Sequence, residues 1–426
     1  MNIELHEQNK EVLFKSIQLE SKARKLYADV RAQQLKDFRK RMPDNKQGVE
    51  FTHNGIRYVA AIRRLTPEEC AKLQTVPDDY EFVTSETQQY RCLGNGWTID
   101  VIGHIFSFIP NEKRKNMKVL SLFDGMSGGQ LALNSIGCKP ALYMASEIDK
   151  HAIVNTQHNF PNTIQLGSVT ELDVAGMVKK YGVPDILIGG SPCQSFSFSG
   201  KMKGMSTKSG EEIYTLDKYL ELKQQGFEFE GQSYLFWEYM RILTELRKYN
   251  PNIFFLLENV KMLEKWERCL SHAIGVRGVH INSALVSAQN RRRIYWSNIR
   301  TRQAEGENLF YDENDPFAWP SLITDIPQPE DKGLVIKDVL QEEAGEKYYL
   351  KDETVAKLIE RTDKKKLKDY LLEPQVSIEE AMEYMNTHEE YAALSDFDKL
   401  MLAQKGYRLE KQRLHDNYNA ESISNG

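Results

Sequence analysis

A single cysteine stands where the sequence predicts the end of a buried strand. Residues 186–190 read Ile-Leu-Ile-Gly-Gly, an apolar run typical of a buried parallel strand, and Ser-Pro and then Cys193 follow it. In open α/β sheets, ligands and chemistry lie at the carboxyl ends of the strands. A thiol there can act as a nucleophile if its pKa is lowered or its target is held in place. A small buried cysteine that only packs is an equally good interpretation of this stretch alone.

An acidic residue and a basic stretch follow later in the chain. Glu258 comes directly after the apolar run 254–257, so it is also expected at the edge where the strands end. A carboxyl group there suits general acid–base chemistry, although a surface acid that merely ends a strand has the same pattern. Taken alone, the basic stretch from Gln289 to Arg293 favours a solvated turn.

A glycine-rich turn opens a second candidate site. The predicted strand 118–123 runs into Asp-Gly-Met-Ser-Gly-Gly at 124–129, and a helix is predicted from Gln130. A strand, a glycine-rich turn and a helix form the nucleotide-binding half-site of a doubly wound sheet. After a second predicted strand, 141–145, Glu147 stands where an acid can accept hydrogen bonds from ribose hydroxyls. The glycines do not fit G-x-G-x-x-G, which disfavours a dinucleotide.

The elements that must position these residues alternate between strands and helices. Further strands are predicted at 163–166, 253–257 and 283–287, which indicates one α/β domain with a mostly parallel sheet. Residues 199–232 form an insertion directly after the cysteine, with a short helix at 215–225 and the length of a mobile lid.

Composition bounds the class of protein. The 426 residues are 41% hydrophobic and 27% charged, with a net charge of −5, as in ordinary globular proteins. No apolar run approaches the length of a membrane span, and the N-terminus lacks a signal peptide pattern. The five cysteines form no CxxC pair and no zinc-like spacing, which indicates reduced thiols, no metal site and a cytoplasmic location.

Both flanks of the predicted domain have their own patterns. Residues 1–42 favour an amphipathic helix that is basic in its second half, a pattern that suits a phosphate backbone or simply a solvated face. Residues 63–69 read as a capped helix start, 90–97 as a tight turn around Gly-Asn-Gly-Trp, and 110–116 as a polar linker. Prolines cluster at 305–333, and residues 331–426 hold 15 basic and 21 acidic residues.

Together these stretches resemble the DNA (cytosine-5)-methyltransferase family over about residues 63–300. The overall wording is closest to the enzymes of bacteria and their prophages, while Ser-Leu-Phe-Asp-Gly at 121–125 is close to mammalian de novo methyltransferases. The matching motifs are Phe123-Asp-Gly-Met-Ser-Gly-Gly, Glu147, Pro192-Cys193-Gln194, Leu235-Phe-Trp-Glu238, Glu258-Asn-Val260 and Gln289-Asn-Arg291-Arg-Arg293.

The resemblance implies a Rossmann-like fold that uses S-adenosylmethionine, with a smaller DNA-recognition lobe. It implies that Cys193 attacks carbon 6 of a flipped cytosine, that Glu258 serves ring nitrogen 3, that Arg291 holds the carbonyl oxygen at position 2, and that Arg293 helps to place Cys193. The implied cofactor-binding residues are Phe123, Asp124, Gly125, Met126, Ser127, Gly128, Glu147, Ile148, Ser168, Val169, Pro192, Leu235, Asn95, Gly96 and Trp97.

Two departures from the family pattern change the expectations. Ser168 stands where the family usually has an aspartate that receives the adenine amino group, so we expect weakened or rearranged adenine recognition. Residues 63–69 and 94–97 resemble the ninth and tenth motifs, yet they precede the first, which indicates a circular permutation. The expected divisions are a helical segment of the recognition lobe, permuted motifs, the catalytic core, and a tail with linker and recognition region: 1–62, 63–116, 117–304 and 305–426.

Other functions fit parts of this pattern. A transfer RNA methyltransferase would keep the chemistry and change the substrate, and a non-catalytic DNA-binding relative would be expected to lack Cys193 or Glu258. The partners expected for the leading interpretation are double-stranded DNA and, in a restriction–modification pair, a cognate endonuclease in a bacterial or phage-infected cell. Neither the DNA target nor the oligomeric state is readable from the sequence.

Overall fold

The computed structural model of the chain describes residues 18–34, 36–37, 49–53, 56–192, 205–304, 315–361 and 376–409. Cys193, predicted as the nucleophile, lies outside these residues, as does the first part of the predicted insertion. The chain divides into a larger unit, residues 66–340, and a smaller unit formed by residues 1–65 and 341–426. The boundary predicted near residue 305 therefore lies inside the larger unit. Among the described residues, no helix is both long and apolar enough to cross a bilayer.

The smaller unit begins and ends the chain. Its elements are helix α1 (18–34), strands β1 (Val49–His53) and β2 (Ile56–Ala60), and helices α12 (Asp352–Arg361), α13 (Ile378–Thr387) and α14 (396–409). Leu26 and Tyr27 of α1 pack in one apolar core with Met385 and Leu402. The Tyr27 hydroxyl also donates to the carbonyl of Ala403 at 2.9 Å. The two ends of the chain thus share one core.

The larger unit begins with helices and continues as alternating strands and helices. Its helices are α2 (Pro67–Leu73), α3 (Glu86–Asn95), α4 (Ile99–Phe106), α5 (Asn111–Arg114), α6 (Gly128–Ser135), α7 (Lys150–Asn159), α8 (Val174–Tyr181), α9 (Leu216–Gln224), α10 (Phe236–Arg247) and α11 (Glu264–Ile274). Its strands are β3 (Lys118–Leu122), β4 (Leu142–Ser146), β5 (Ile164–Gln165), β6 (Ile186–Gly190), β7 (Phe254–Val260), β8 (Val279–Asn282), β9 (Arg292–Ser297), β10 (Thr301–Gln303) and β11 (Leu322–Thr324).

Seven strands form the central sheet in the order β5-β4-β3-β6-β7-β9-β8. The first five strands of that order are parallel, and β9 runs antiparallel to both of its neighbours. The prediction of a mostly parallel α/β sheet is confirmed. The strand order reverses between β3 and β6, so the carboxyl ends of these two strands flank the crevice where doubly wound folds bind ligands.

Both faces of the sheet are covered, as its apolar strands require. Leu120 and Leu187 belong to one buried core, while Val119 and Ile188, one position away on the same strands, belong to the other. Successive side chains of a strand point to opposite faces, so a strand buried on both sides must be apolar throughout. Burial on both faces therefore fixes the strands, and with them the residues at their carboxyl ends, where the candidate site lies.

Two local predictions are wrong. The run 283–287 is not a strand, because the Asn282 side chain accepts the amide hydrogen of Ala284 and turns the chain into a short 3₁₀ helix directly after β8. The predicted turn at 90–97 is helical as far as Asn95, where α3 ends, and only the residues after Asn95 leave the helix. The Gly-Asn-Gly sequence therefore ends a helix instead of forming a separate loop.

Candidate active site

The glycine-rich turn after β3 adopts a constrained backbone. Phe123, Gly125 and Ser127 all have positive φ angles, of 55°, 58° and 63°. That region costs a residue with a side chain about 1 kcal/mol or more, so Phe123 and Ser127 are held there by their surroundings. The amide of Phe123 donates to the carbonyl of Ser146 at 2.9 Å, and the hydroxyl of Tyr80 donates to the carbonyl of Met126 at 3.0 Å. The turn is thus held from two directions.

A buried polar network lies beneath this turn. The Tyr143 hydroxyl donates to Asp124 Oδ1 at 2.8 Å, and the side-chain amide of Gln130 donates to the Ser127 hydroxyl at 2.9 Å. Asp124 Oδ2 is buried without a hydrogen-bond partner among the described residues. Burial raises the pKa of Asp124 to about 6, and the hydroxyls of Ser121, Tyr143 and Ser127 oppose that rise only in part.

Glu147 connects the turn to the next helix. One carboxylate oxygen accepts the amide hydrogen of Gly125 at 2.8 Å, and the other accepts those of Ile148 and Asp149 at 2.7 and 2.8 Å. Ile148 leaves 69% of its surface exposed beside this acid. The structure therefore brings together the predicted cofactor residues of β3 and β4, with a carboxylate and an apolar side chain at the same edge.

The predicted adenine-side residues form a second short turn after β5. The Ser168 hydroxyl accepts the amide hydrogen of Thr170 at 3.2 Å and pairs with the Thr170 hydroxyl at 2.8 Å, so it caps the 3₁₀ helix Val169–Glu171. Val169 is buried, while Leu235, at the start of α10, is partly buried against the same core. The Ser168 hydroxyl therefore already serves its own turn.

Gly190 lies where two predicted site residues come together. A Cβ atom placed on Gly190 would stand 2.9 Å from Trp97 Nε1 and 3.0 Å from Glu258 Oε2. Arg293 Nε lies 3.0 Å from Glu258 Oε1, and both side chains are largely buried. A carboxylate, a guanidinium and an indole N–H therefore converge at the carboxyl ends of β6 and β7, because position 190 has no side chain.

Arg291 has a different place from its neighbour Arg293. Its guanidinium donates to the carbonyl of Gly96 at 2.9 Å, beside the exposed Asn95 and the half-buried Trp97. The structure therefore brings Arg291 to the turn after α3, whereas Arg293 pairs with Glu258. The predicted catalytic set is divided between two neighbouring positions along the same edge.

The chain leading to Cys193 is fixed up to Pro192. The side-chain amide of Asn259 donates to both the hydroxyl and the carbonyl oxygen of Ser191, at 3.0 and 3.2 Å, and both residues are buried. Because Asn259 adjoins Glu258 on β7, the same strand supplies the acid and holds the backbone just before the cysteine. Sequence reasoning had given no role to Asn259, Tyr80 or Tyr143, because nothing local to those residues indicates such distant contacts.

The fold is that of a doubly wound α/β protein, and comparison with known proteins identifies its family. Residues 2–111 and 117–274 match the family described as C-5 cytosine-specific DNA methylase. This match takes in more than half of the chain, so the chain belongs to that family, and the resemblance inferred from the motifs is confirmed. The two matched segments meet at the short stretch 112–116.

Individual relatives are more distant. The chain is 30% identical over 286 residues to the orphan methyltransferase M.Rho11sI of Bacillus phage rho11s, covering 59% of this chain and 49% of that protein. It is 29% identical over 293 residues to the orphan methyltransferase M.SPRI of Bacillus phage SPR, covering 61% and 58%. The chain thus spans about half the length of these relatives. A crystal structure of Dnmt2 methyltransferase from S. pombe is 16% identical, with a TM-score of 0.30 over 43% of this chain and 49% of that one.

Replacement of Asp124 by Asn tests the buried acid. The folded-state pKa, about 6, exceeds the ordinary value of 3.8, so this group favours the folded state at low pH and loses that contribution as the pH rises through 6. Asn stays neutral and keeps the acceptor for Tyr143. We expect the unfolding free energy of Asp124→Asn, relative to the wild type, to increase with pH toward about 3 kcal/mol above pH 7. Urea titrations from pH 4 to 8 measure it, and a difference independent of pH would contradict the account.

Replacement of Gly190 by Ala tests the close approach at the site. The added methyl group would lie within 3.0 Å of the Trp97 and Glu258 side chains, so one of them must move. We expect a loss of about 1–3 kcal/mol in unfolding free energy. Gly94→Ala is the matched control, because no atom of the described part of the chain lies within 4 Å of its Cβ position, and because Gly94 lies in a helix, where Ala is favoured. Equal stability of the two variants in urea unfolding would show that the approach is not tight.

Proposed function

We propose that this chain is a DNA cytosine-5 methyltransferase that transfers a methyl group from S-adenosylmethionine to carbon 5 of a flipped cytosine, through a covalent adduct of Cys193. The observation that carries the proposal is the ion pair between Arg293 Nε and Glu258 Oε1, which are 3.0 Å apart. The pair lies beside Gly190, and Gly190 is three residues before Cys193 in the chain. Family membership supports the same class of reaction. The activity, the substrate and the partners of the whole protein remain part of this proposal.

The chemistry requires a nucleophile because carbon 5 of an aromatic cytosine reacts poorly with electrophiles. Addition of the Cys193 thiolate to carbon 6 removes the aromaticity of the ring, which stays closed, and leaves carbon 5 enamine-like. Carbon 5 then takes the methyl group. Loss of the proton from carbon 5 restores the double bond as the sulfur–carbon bond breaks, and the thiolate returns.

Glu258 is placed to assist the attack. A carboxyl group that shares a proton with ring nitrogen 3 removes negative charge from the ring as the thiolate adds. Arg293 fixes one carboxylate oxygen of Glu258, and the other oxygen faces the Cβ position of Gly190. Arg291 would hold the carbonyl oxygen at position 2 only if the base reaches the turn at Gly96, which is where its guanidinium lies.

The turns after β3, β4 and β5 suit the methyl donor. S-adenosylmethionine, when bound, supplies the electrophilic methyl group. Among the described residues, no atom lies within 4 Å of the Cβ position of Gly125, which leaves room beside the turn for a ligand. Glu147 would accept the ribose hydroxyls, Ile148 would cover an adenine face, and the Trp97 indole would border the methyl-transfer side. Ser168 would accept the adenine amino group more weakly than a carboxylate.

The substrate requires access to a base that duplex DNA hides. We infer that the target cytosine is flipped out of the stack, as in other enzymes that act on single bases. The smaller unit, with the basic residues of α1, would form part of the surface that recognises DNA. The proposal places the protein in the cytoplasm of a bacterial or phage-infected cell, acting alone or with a cognate endonuclease.

Transfer of labelled methyl groups tests this function. The full-length protein is incubated with S-adenosylmethionine labelled in its methyl group and either duplex DNA or transfer RNA. We expect label in DNA only, no label with Cys193→Ser, and a rate about 10²–10⁴ lower with Glu258→Gln, because the acid then cannot give a proton. Label in transfer RNA alone would make the protein an RNA methyltransferase, and label in neither nucleic acid would contradict the proposal.

We also propose that the motif order results from circular permutation at 112–116. Contacts that support it join the early segment to the later one: the Thr98 and Ser283 hydroxyls pair at 2.8 Å, and the Ser287 hydroxyl donates to the carbonyl of Leu73 at 2.6 Å. If the two segments were once separate chains, co-expressed fragments 1–116 and 117–426 should associate and bind S-adenosylmethionine. Fragments that fold only when covalently joined would count against a permutation at this point.

A further inference from the structure

A buried carboxylate anchors the insertion that follows the cysteine. Glu238, on α10, is fully buried, and its Oε1 accepts hydrogen bonds from the Tyr219 hydroxyl and from Lys223 Nζ, each at 2.5 Å. Tyr219 and Lys223 lie on α9, the helix of the insertion. Arg241 Nε donates to the other oxygen at 2.7 Å. One acid of the core therefore fixes the insertion helix through two side chains.

The same cations also reach the turn after β5. Lys223 Nζ lies 3.3 Å from the carbonyl oxygen of Thr170. Arg241 donates to the carbonyls of Val169 at 2.9 Å and Leu172 at 3.3 Å. Contacts to three carbonyls, those of Val169, Thr170 and Leu172, thus tie this turn through the two cations to a carboxylate on a different element. Ser168, proposed to accept the adenine amino group of the methyl donor, caps this turn from the preceding position.

The two cations, Arg241 and Lys223, differ in their ion-pair partners. Arg241 has a second partner in Glu245 at 3.0 Å, and would stay in place if the insertion moved. Lys223 has only Glu238 as an ion-pair partner among the described residues, and it extends from α9 to the carbonyl of Thr170 in the turn. Removal of Lys223 therefore breaks this direct contact between α9 and the turn, while Glu238 stays paired with Arg241 and Tyr219.

We propose that Lys223 is a positioning residue for the methyl donor, because it holds the turn 169–172 in place from the insertion helix. The inference rests on the proposed function, which places S-adenosylmethionine against this turn. It also explains how Ser168 can suffice where the family has a carboxylate. A turn already fixed in its binding conformation loses less freedom when the ligand binds, so a weaker hydrogen-bond acceptor costs less affinity.

The test compares two lysine variants of the full-length protein. Lys223→Met removes the link, and Lys208→Met is the matched control, because Lys208 lies in the same insertion but pairs only with the exposed Glu228 among the described residues. Calorimetry measures S-adenosylmethionine binding, and methylation assays on duplex DNA give kcat and KM for the donor. We expect Lys223→Met to weaken donor binding and raise KM by about fivefold, from one lost charge-assisted hydrogen bond, with kcat within about twofold of the wild type.

Further variants separate rescue of donor binding from failure of the proposal. Lys223→Arg keeps a cation and should recover most of the affinity, while Lys208→Met should bind as the wild type does. Lys223→Ala, which also removes the donor to the Thr170 carbonyl, is used if the methionine variant does not fold. A wild type that binds no S-adenosylmethionine would overturn the proposed function itself. A folded Met or Ala variant with unchanged donor affinity, or with a changed kcat alone, would overturn the role of Lys223.

Discussion

The site depends on the absence of a side chain at Gly190. A Cβ atom at position 190 would stand 2.9 Å from the Trp97 indole nitrogen and 3.0 Å from a Glu258 carboxylate oxygen, which is closer than van der Waals contact. The two side chains can therefore approach the backbone of β6 because this residue is glycine. Gly190 pairs in register with Glu258 on the neighbouring parallel strand, so the sheet itself sets this approach. The acid, the aromatic ring and the chain leading to the cysteine meet because the strands end together and one of them ends in glycine.

The early helices of the larger unit are as much a part of this site as the strands. Trp97 follows α3, Tyr80 holds the turn at Met126, and Arg291 reaches back to Gly96. Both contacts join residues far apart in the chain, and the hydrogen bond between Tyr80 and Met126 is buried, so its groups would be costly to leave unpaired. Tertiary contacts, and not the order of residues along the chain, therefore assemble this site edge.

Sequence reasoning reached the sheet and the candidate site because their signals are local. Apolar runs ending in Gly-Gly or in Glu-Asn, and a glycine-rich turn after a strand, indicate their own geometry. It missed strand β9, because Arg292 and Arg293 at its start favour a solvated turn, while their pairing as a strand depends on β7 and β8. It also missed the pairing of Glu238 with Lys223, and the unit boundary after Leu340, since both depend on contacts that no local pattern encodes.

Covalent trapping measures the central claim most directly. Wild type and Cys193→Ser are incubated with S-adenosylmethionine and duplex DNA that carries 5-fluorocytosine at random cytosine positions. Fluorine cannot leave carbon 5 as a cation, so the adduct cannot resolve and the protein stays bonded to DNA. The account predicts a denaturation-resistant complex with the wild type alone, and sequencing of the trapped DNA would give the target. A wild type that binds the donor and methylates DNA but forms no adduct, or an adduct that persists in Cys193→Ser, would contradict nucleophilic attack by Cys193.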